Sequence, residues 1–220
     1  MAMSRAPLSQ TAEDYLKQIY KLEVERGRAT TSVLAGRLGV SPPSVTSMLK
    51  KLAAMKLVVH ERYKGVTLTP AGRKAAVEVI RHHRLLEQYL AETLGMPIDE
   101  VHAEADRLEH VLSEELEARI DETLGFPTHD PHGDPIPDAA LNVGDDSLRP
   151  LHTLDPGEHS TVRRVPDDTA LLRYLAALGL LPGAAVELVQ SAPFDGPVTV
   201  ITDGAEHAIS RELAAQIGVR

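Results

Sequence analysis

The 220-residue chain contains no cysteine and no tryptophan, and aromatic residues make up only 3% of it. Without thiols there is no disulfide, no thiolate zinc site and no cysteine nucleophile. With so few aromatics, a core has to be assembled from Leu, Val, Ile and Ala. No apolar run approaches the roughly 18 residues that a membrane-spanning helix needs. The opening stretch MAMSRAPLSQTAEDY holds no apolar segment of the kind a secretory signal requires. These absences lead us to expect a cytoplasmic protein without membrane association, long enough for one large or two small domains.

What charge there is lies unevenly. The whole chain carries a formal −9, with 23 Lys+Arg and 32 Asp+Glu. Residues 1–75 hold 13 of the basic and 5 of the acidic residues, a net of +8, which leaves 10 basic and 27 acidic residues and a net of −17 for the rest. A basic module that meets a polyanion, followed by acidic modules with another task, is the expectation.

Patterning gives the organisation. QTAEDYLKQIYKLEVER (10–26) reads as an amphipathic helix with Tyr15, Ile19 and Leu22 on one side. Thr30 or Thr31 caps a second helix that stops at Gly39, and Ser41 opens a third with Pro42 and Pro43 in its first turn, where missing N–H groups cost little. VVHERYKGVTLT alternates and turns at Lys64-Gly65 as a hairpin does. A long helix runs from Pro70 to Gly95, and another is expected from Asp99 to about Leu124. After a Pro/Gly/Asp-rich turn, the short alternating runs STVRRV, AAVELVQ, PVTVIT and HAISREL flank the helix TALLRYLAALG, the pattern of a small β-barrel. The predicted architecture is an α+β multidomain protein: a winged helix-turn-helix over 1–75, a helical domain over 76–146 and a β-barrel over 147–220.

In a winged helix-turn-helix the second helix enters the major groove and the hairpin touches the backbone. Ser41, Pro42, Pro43, Ser44, Thr46 and Ser47 would face the groove. These side chains offer thymine-methyl contacts or single hydrogen bonds but no bidentate pairing with guanine, so DNA shape should contribute to readout. Lys50, Lys51 and the wing residues Arg62 and Lys64 are placed for phosphates.

VHAEADRLEH (101–110) poses a different problem. His102, Asp106, Glu109 and His110 stand at relative positions 0, 4, 7 and 8, which share one helix face where a core stripe would be apolar. RHHRLLEQ adds His83 and Glu87 at i and i+4, and the first helix adds Asp14. Apolar neighbours suggest that these faces look inward. Buried carboxylates need a counter-charge, and with no Lys or Arg at the spacing to supply it, a divalent cation is the expected one. His82 reads as a solvated neighbour of His83, and His129, His132 and His152, in Pro/Gly-rich loop, receive no metal role.

AEDYLKQIY, SPPSVTSMLKKL, HERYKGVTLTPAGR, HRLLE and DEVHAEADRLEHVLSEELEARI together resemble the diphtheria-toxin-repressor family of metal-dependent transcriptional regulators. GFPTHDPHGDPIP is similar to that family's turn after its dimerisation helices, and VPDDTALLRYLAALGLLPGAAVEL resembles its SH3-like, ferrous-transport-A-like C-terminal domain. The resemblance implies a principal metal site at Asp14, Asp106, Glu109 and His110. It implies an ancillary site at His83, Glu87 and His102 with an acid from the C-terminal domain, Asp168, while a glutamine ligand of the family aligns with Leu171. The family's iron branch has methionine where Asp14 stands and cysteine where Asp106 stands. Two hard carboxylates there favour Mn²⁺, with Fe²⁺ as the alternative. The implied function is a manganese-activated repressor of metal-homeostasis genes that binds double-stranded operator DNA as a homodimer, through a surface including Leu108, Val111, Leu112 and Leu116. Two readings compete. A metallohydrolase would need an open coordination position and an adjacent base, and no H-E-x-x-H is present, so no enzyme is expected. An ordinary winged-helix regulator with an organic effector would bind DNA regardless of chelator.

Overall fold

The computed structural model describes residues 8–61, 65–144 and 147–220. They form two compact units: one comprises the chain through His82 with Glu109–Val111 and Pro137–Asn142, the other His83–Leu108, Leu112–Ile136 and Val143–Arg220.

In the first unit each helix begins where a hydroxyl can take an orphan N–H. Ser9 caps α1 (Gln10–Arg26), Thr30 caps α2 (Thr31–Leu38) and Ser41 caps α3 (Pro42–Ala54). Gly27 and Gly39 end the first two in the left-handed conformation. Strands β1 (Val58–Glu61) and β2 (Gly65–Leu68) pair antiparallel with Val58 opposite Leu68. Helix α4 (Pro70–Leu94) opens beneath Thr69, whose Oγ1 accepts from the Gly72 N–H at 3.1 Å. A Cβ on Gly72 would lie 1.9 Å from the Leu57 carbonyl oxygen, so only glycine permits this approach. The core is aliphatic as composition requires: Leu16, Ile19, Leu22, Leu34, Leu49 and Leu52 are fully buried.

The second unit holds the rest of α4, then α5 (Val101–Leu108) and α6 (Glu114–Thr123). One continuous helix was expected here. Instead α5 stops at Leu108, and Ser113 starts α6 by accepting from the Leu116 N–H at 3.3 Å. Glu114, Glu115 and Glu117 then favour the positive end of the new helix dipole. Glu109 and His110 therefore lie beyond the end of α5 rather than on its face. Leu108 and Leu112 pack, half-buried, on Leu85, Leu86, Ala105 and Ile120 instead of joining an outer surface, whereas Val111 and Leu116 are exposed.

The C-terminal part is a six-stranded antiparallel sheet built from β3 (Arg149–Pro150), β4 (Glu158–Arg164), β5 (Ala185–Ser191), β6 (Val198–Thr202), β7 (Ala205–Ile209) and β8 (Gly218–Val219), in the order β3-β8-β4-β5-β6-β7. Helix α7 (Thr169–Ala177) and the single turn α8 (Arg211–Ala214) cover a core of Val162, Leu172, Leu175, Val186, Leu188, Val198 and Val200. The turn after α6 is ordered by Asp130, whose Oδ1 accepts from the N–H groups of His132 and Asp134, both at 2.9 Å. It lies hard against β4. Gly133 has φ +90°, and a Cβ there would meet the Arg163 carbonyl oxygen at 1.8 Å, while the His132 carbonyl accepts from Val165 N–H at 2.9 Å. That docking carries His132 into the interior.

Candidate metal centres and DNA-reading helix

Two acid–imidazole clusters emerge, one in each unit. In the first, α1 presents Asp14 to the segment that follows α5. The Nε2 of His110 is 2.9 Å from Asp14 Oδ1 and 3.4 Å from Glu109 Oε1, and its Nδ1 is 2.6 Å from Glu13 Oε2. One ligand atom each from Asp14, Glu109 and His110 falls within 4.8 Å of the others. Burial pushes the Asp14 carboxyl up from its ordinary value against the opposing pull of His110. The Lys17 ammonium, one turn along α1, donates to both oxygens of Glu109, at 2.7 and 3.0 Å. The expectation that no cation stands at the right spacing is thus corrected. Lys17 is three residues from Asp14 on the same helix face, a relation visible in the sequence. Half-buried His82 is not a solvated neighbour either, for its Nδ1 lies 3.1 Å from the Glu109 carbonyl oxygen.

The second cluster gathers His83, Glu87, His102 and Asp167. Helix periodicity puts His83 Nε2 2.9 Å from Glu87 Oε1, and α5 brings His102 Nδ1 to 3.0 Å from the same oxygen and 3.1 Å from His83 Nε2. Asp167 Oδ2 stands 2.7 Å from His102 Nδ1. Asp168 does not take this position. It is the exposed N-cap of α7, accepting from the Leu171 N–H at 2.9 Å. The cap rule applied to VPDDTALL assigns the aspartate next to the helix to the cap and leaves its predecessor for the site. Asp106, expected beside Asp14, is reached within this unit by His83 Nδ1 at 3.3 Å and His102 Nε2 at 3.4 Å.

Loop histidine His132, given no role by sequence, is fully buried here with Glu87 and Asp130. Its Nε2 is 3.1 Å from the Ile98 carbonyl oxygen and donates to it, which turns Nδ1 toward Glu87 Oε2 at 3.7 Å and Asp130 Oδ1 at 4.0 Å. That Nδ1 has no hydrogen-bond partner among the described residues. Electrostatics are correspondingly strained. Asp167 and Glu87 raise the His102 imidazole to about 10, against the opposing effect of burial. Burial works against charging His132, yet the Glu87 carboxylate raises it to about 9. Burial, reinforced by Glu87, lifts Asp130 to about 7. Burial would also raise Glu87, but the imidazoles of His102, His132 and His83 hold it well below its usual value. Imidazoles, together with the Arg84 guanidinium 3.6 Å from Asp130 Oδ2, thus supply counter-charge for the buried carboxylates in this cluster.

Also in the first unit, Ser41, Pro42, Pro43, Ser44, Ser47, Lys50 and Lys51 are exposed along α3, and Thr46 is half-buried with its hydroxyl donating to the Pro42 carbonyl at 3.0 Å. Lys50 and Lys51 make no ion pair among the described residues. Arg62 and Lys64 of the wing lie outside the described residues.

Residues 7–66 match the N-terminal DNA binding domain of iron dependent repressors, residues 69–138 their metal binding and dimerisation domain, and residues 149–220 the FeoA domain. The chain belongs to the iron-dependent repressor family. Among its relatives, the iron-dependent repressor IdeR of Mycobacterium tuberculosis is 35% identical over 226 residues, covering 96% of this chain and 97% of that protein. The diphtheria toxin repressor of Corynebacterium diphtheriae is 32% identical over 223 residues, with 96% and 97% covered. A solved manganese-dependent transcriptional repressor in complex with manganese superposes with a TM-score of 0.85 at 41% identity, over 94% of this chain and 98% of that one.

Residues of this family member suit a divalent cation by their own chemistry. Both clusters offer only imidazole nitrogen and carboxylate oxygen, a donor set for Mn²⁺, Fe²⁺ or Zn²⁺ rather than for thiophilic ions. His132 adds a structural test. One ring nitrogen donates to a backbone carbonyl while the other, buried and without a hydrogen bond, faces two carboxylates, the arrangement that holds a metal-ligating histidine in its tautomer.

Proposed function

We propose that the protein is a manganese-activated repressor that binds operator DNA as a homodimer and controls metal-homeostasis genes. The observation that carries this reading is the convergence of half-buried Asp14 on α1 with buried Glu109 and half-buried His110, some 95 residues further on, in one acid–imidazole cluster. A divalent cation supplies positive charge that carboxylates and imidazole can share without protons. Asp14, Glu109 and His110 would hold it, and Asp106, beside His83 and His102, is a further candidate carboxylate ligand. His83, Glu87, His102 and Asp167, with Asp130 and His132, would hold a second ion.

In the absence of bound cation, Asp14 and Glu109 repel one another and depend on His110 and Lys17 for compensation. Binding therefore draws α1 against the segment after α5 and fixes the orientation of the helices packed on α1. Those include α2, on which α3 packs in turn, and the exposed Ser/Pro face and Lys50-Lys51 pair of α3 would then meet two half-sites at the spacing that a dimer sets. Shifting such an equilibrium from about 1:99 to 99:1 takes a roughly 10⁴-fold preference for one state, which two sites per protomer can share. Exposed Leu116 on α6 is one apolar side chain available to the dimer surface.

Carboxylates at 14 and 106, and the lack of any sulfur ligand but methionine, favour manganese. Similarity to IdeR and the diphtheria toxin repressor, the former named as iron-dependent, keeps iron as the second reading. Titration of Mn²⁺ and, anaerobically, Fe²⁺ into chelator-stripped protein at fixed salt, followed by operator binding, separates them. Activation at lower free Mn²⁺ is the expected result, and equal or better activation by Fe²⁺ would transfer the protein to the iron reading. Operator binding that survives chelation would remove the metal requirement altogether.

A further inference from the structure

We propose that Lys17 is a built-in competitor of the cation at the Asp14–Glu109–His110 cluster and sets the free-metal concentration at which that site fills. This rests on the reading of the cluster as a metal site.

Glu109 is 2% exposed and Lys17 4% exposed, so little water screens their interaction. A buried carboxylate left without a partner is strongly unfavourable. Lys17 Nζ removes that difficulty by donating to both Oε2 at 2.7 Å and Oε1 at 3.0 Å. Both oxygens of the most buried acid in the cluster are therefore engaged by an ammonium before any divalent ion arrives. A cation ligated by Glu109 must share one of these oxygens with Lys17 or displace it. Sharing sets a unit positive charge beside a doubly positive one on a single carboxylate, in a region of weak screening. Displacement takes the ammonium from its partner. Either way the metal-free state is favoured relative to the loaded one, and the apparent affinity drops.

Position supports the assignment. Lys17 lies on the same face of α1 as Asp14, so the helix that contributes a ligand to the site also contributes its competitor. His110 is different in kind: its ring nitrogens lie against Asp14 and Glu13 and are of a type that can itself ligate a metal. An ammonium has no such second role, since it carries three donors and no lone pair while charged.

The test uses the full chain, stripped with chelator, as wild type, Lys17→Gln and Lys17→Arg, with Asp14→Ala marking which part of a Mn²⁺ titration belongs to this site. Glutamine keeps a donor near Glu109 without the charge, and arginine keeps the charge. Calorimetric titration of Mn²⁺ should show Lys17→Gln binding at the Asp14-dependent site about tenfold more tightly than wild type, with Lys17→Arg close to wild type. The thermal midpoint of Lys17→Gln should fall in chelator but not in saturating Mn²⁺, because the cation then supplies the missing charge. Folding of Lys17→Gln only in the presence of Mn²⁺ would be the extreme form of the same result. Unchanged or weaker Mn²⁺ affinity in Lys17→Gln, an equal loss of midpoint with and without Mn²⁺, or failure to fold even in saturating Mn²⁺ would each overturn the proposal. If Asp14→Ala left the wild-type titration untouched, the site itself would be misassigned, an outcome distinct from a neutral Lys17.

Discussion

Two adjacent aspartates with opposite roles show how much depends on single side chains. Asp168 Oδ1 accepts from a backbone N–H at the start of α7, while Asp167 reaches His102 at 2.7 Å. Replacing Asp168 by Ala removes a cap and is expected to lower stability by about 1 kcal/mol with Mn²⁺ affinity unchanged. Replacing Asp167 by Ala takes away an anionic partner at the second cluster, and a loss of metal affinity of about 10- to 100-fold is expected there. Thermal melts and calorimetric titration on the two variants distinguish these cases, and the reverse pattern would return the site to Asp168. The one-residue offset was legible, because an Asp directly before a helix is a cap before it is anything else. His132 was harder to read. Its surroundings, Pro131 and Gly133 in an Asp-rich turn, carry the composition of solvated loop, and only the docking of that turn on β4 buries the imidazole.

Among elements, periodicity gave α1, and capping gave the starts of α2 and α3 at Thr30 and Ser41 and the stop of α2 at Gly39, whereas α3 ends at Ala54, short of the apolar spacing that runs on toward Val58. The break between α5 and α6 escaped the same logic, although Ser113 followed by three acids in the first turn is a start signal of equal quality. The apolar residues Leu108, Val111, Leu112 and Leu116 continue helical spacing across the break and conceal it. Glu109 and His110 consequently owe their placement to an irregular segment, which no periodic argument describes. The turn at 128–135 is an element whose shape has a direct functional reading. Gly133→Ala puts a Cβ where the Arg163 carbonyl stands, at a φ of +90°, and so lifts the turn from β4. Loss of Mn²⁺ at the second cluster together with a lower melting midpoint is expected. Gly144→Ala, whose Cβ would meet nothing within 4 Å, is the control expected to change neither. Full metal binding in Gly133→Ala would mean that His132 does not depend on this docking.

For the molecule as a whole, the charge division seen in the sequence reappears as a basic α3 surface and acidic interior clusters, and the latter make stability depend on pH. His102 at about 10 and His132 at about 9 stand above an ordinary value of 6.5, so both bind protons more tightly folded than unfolded. Their stabilising contribution to the metal-free protein is complete below about pH 6.5 and is lost as pH rises through 9 and 10. Glu87, held below its ordinary 4.5, acts in the opposite sense, contributing above that value and losing its contribution as pH falls through its lowered folded value. Melting midpoints in chelator are therefore expected to decline from pH 7 toward pH 10, and saturating Mn²⁺ to abolish that decline by replacing the protons. A metal-free midpoint that rose over this range would refute the assignment of protonated imidazoles as internal counter-ions.

The central claim is that a divalent cation joins α1 to the segment after α5 through Asp14, Glu109 and His110. Crystals grown with Mn²⁺ and measured for anomalous scattering at the manganese absorption edge address it directly. An anomalous peak bonded to all three side chains is the expected result. Absence of a peak there, in protein whose operator binding responds to Mn²⁺, would contradict the account and place the activating ion elsewhere.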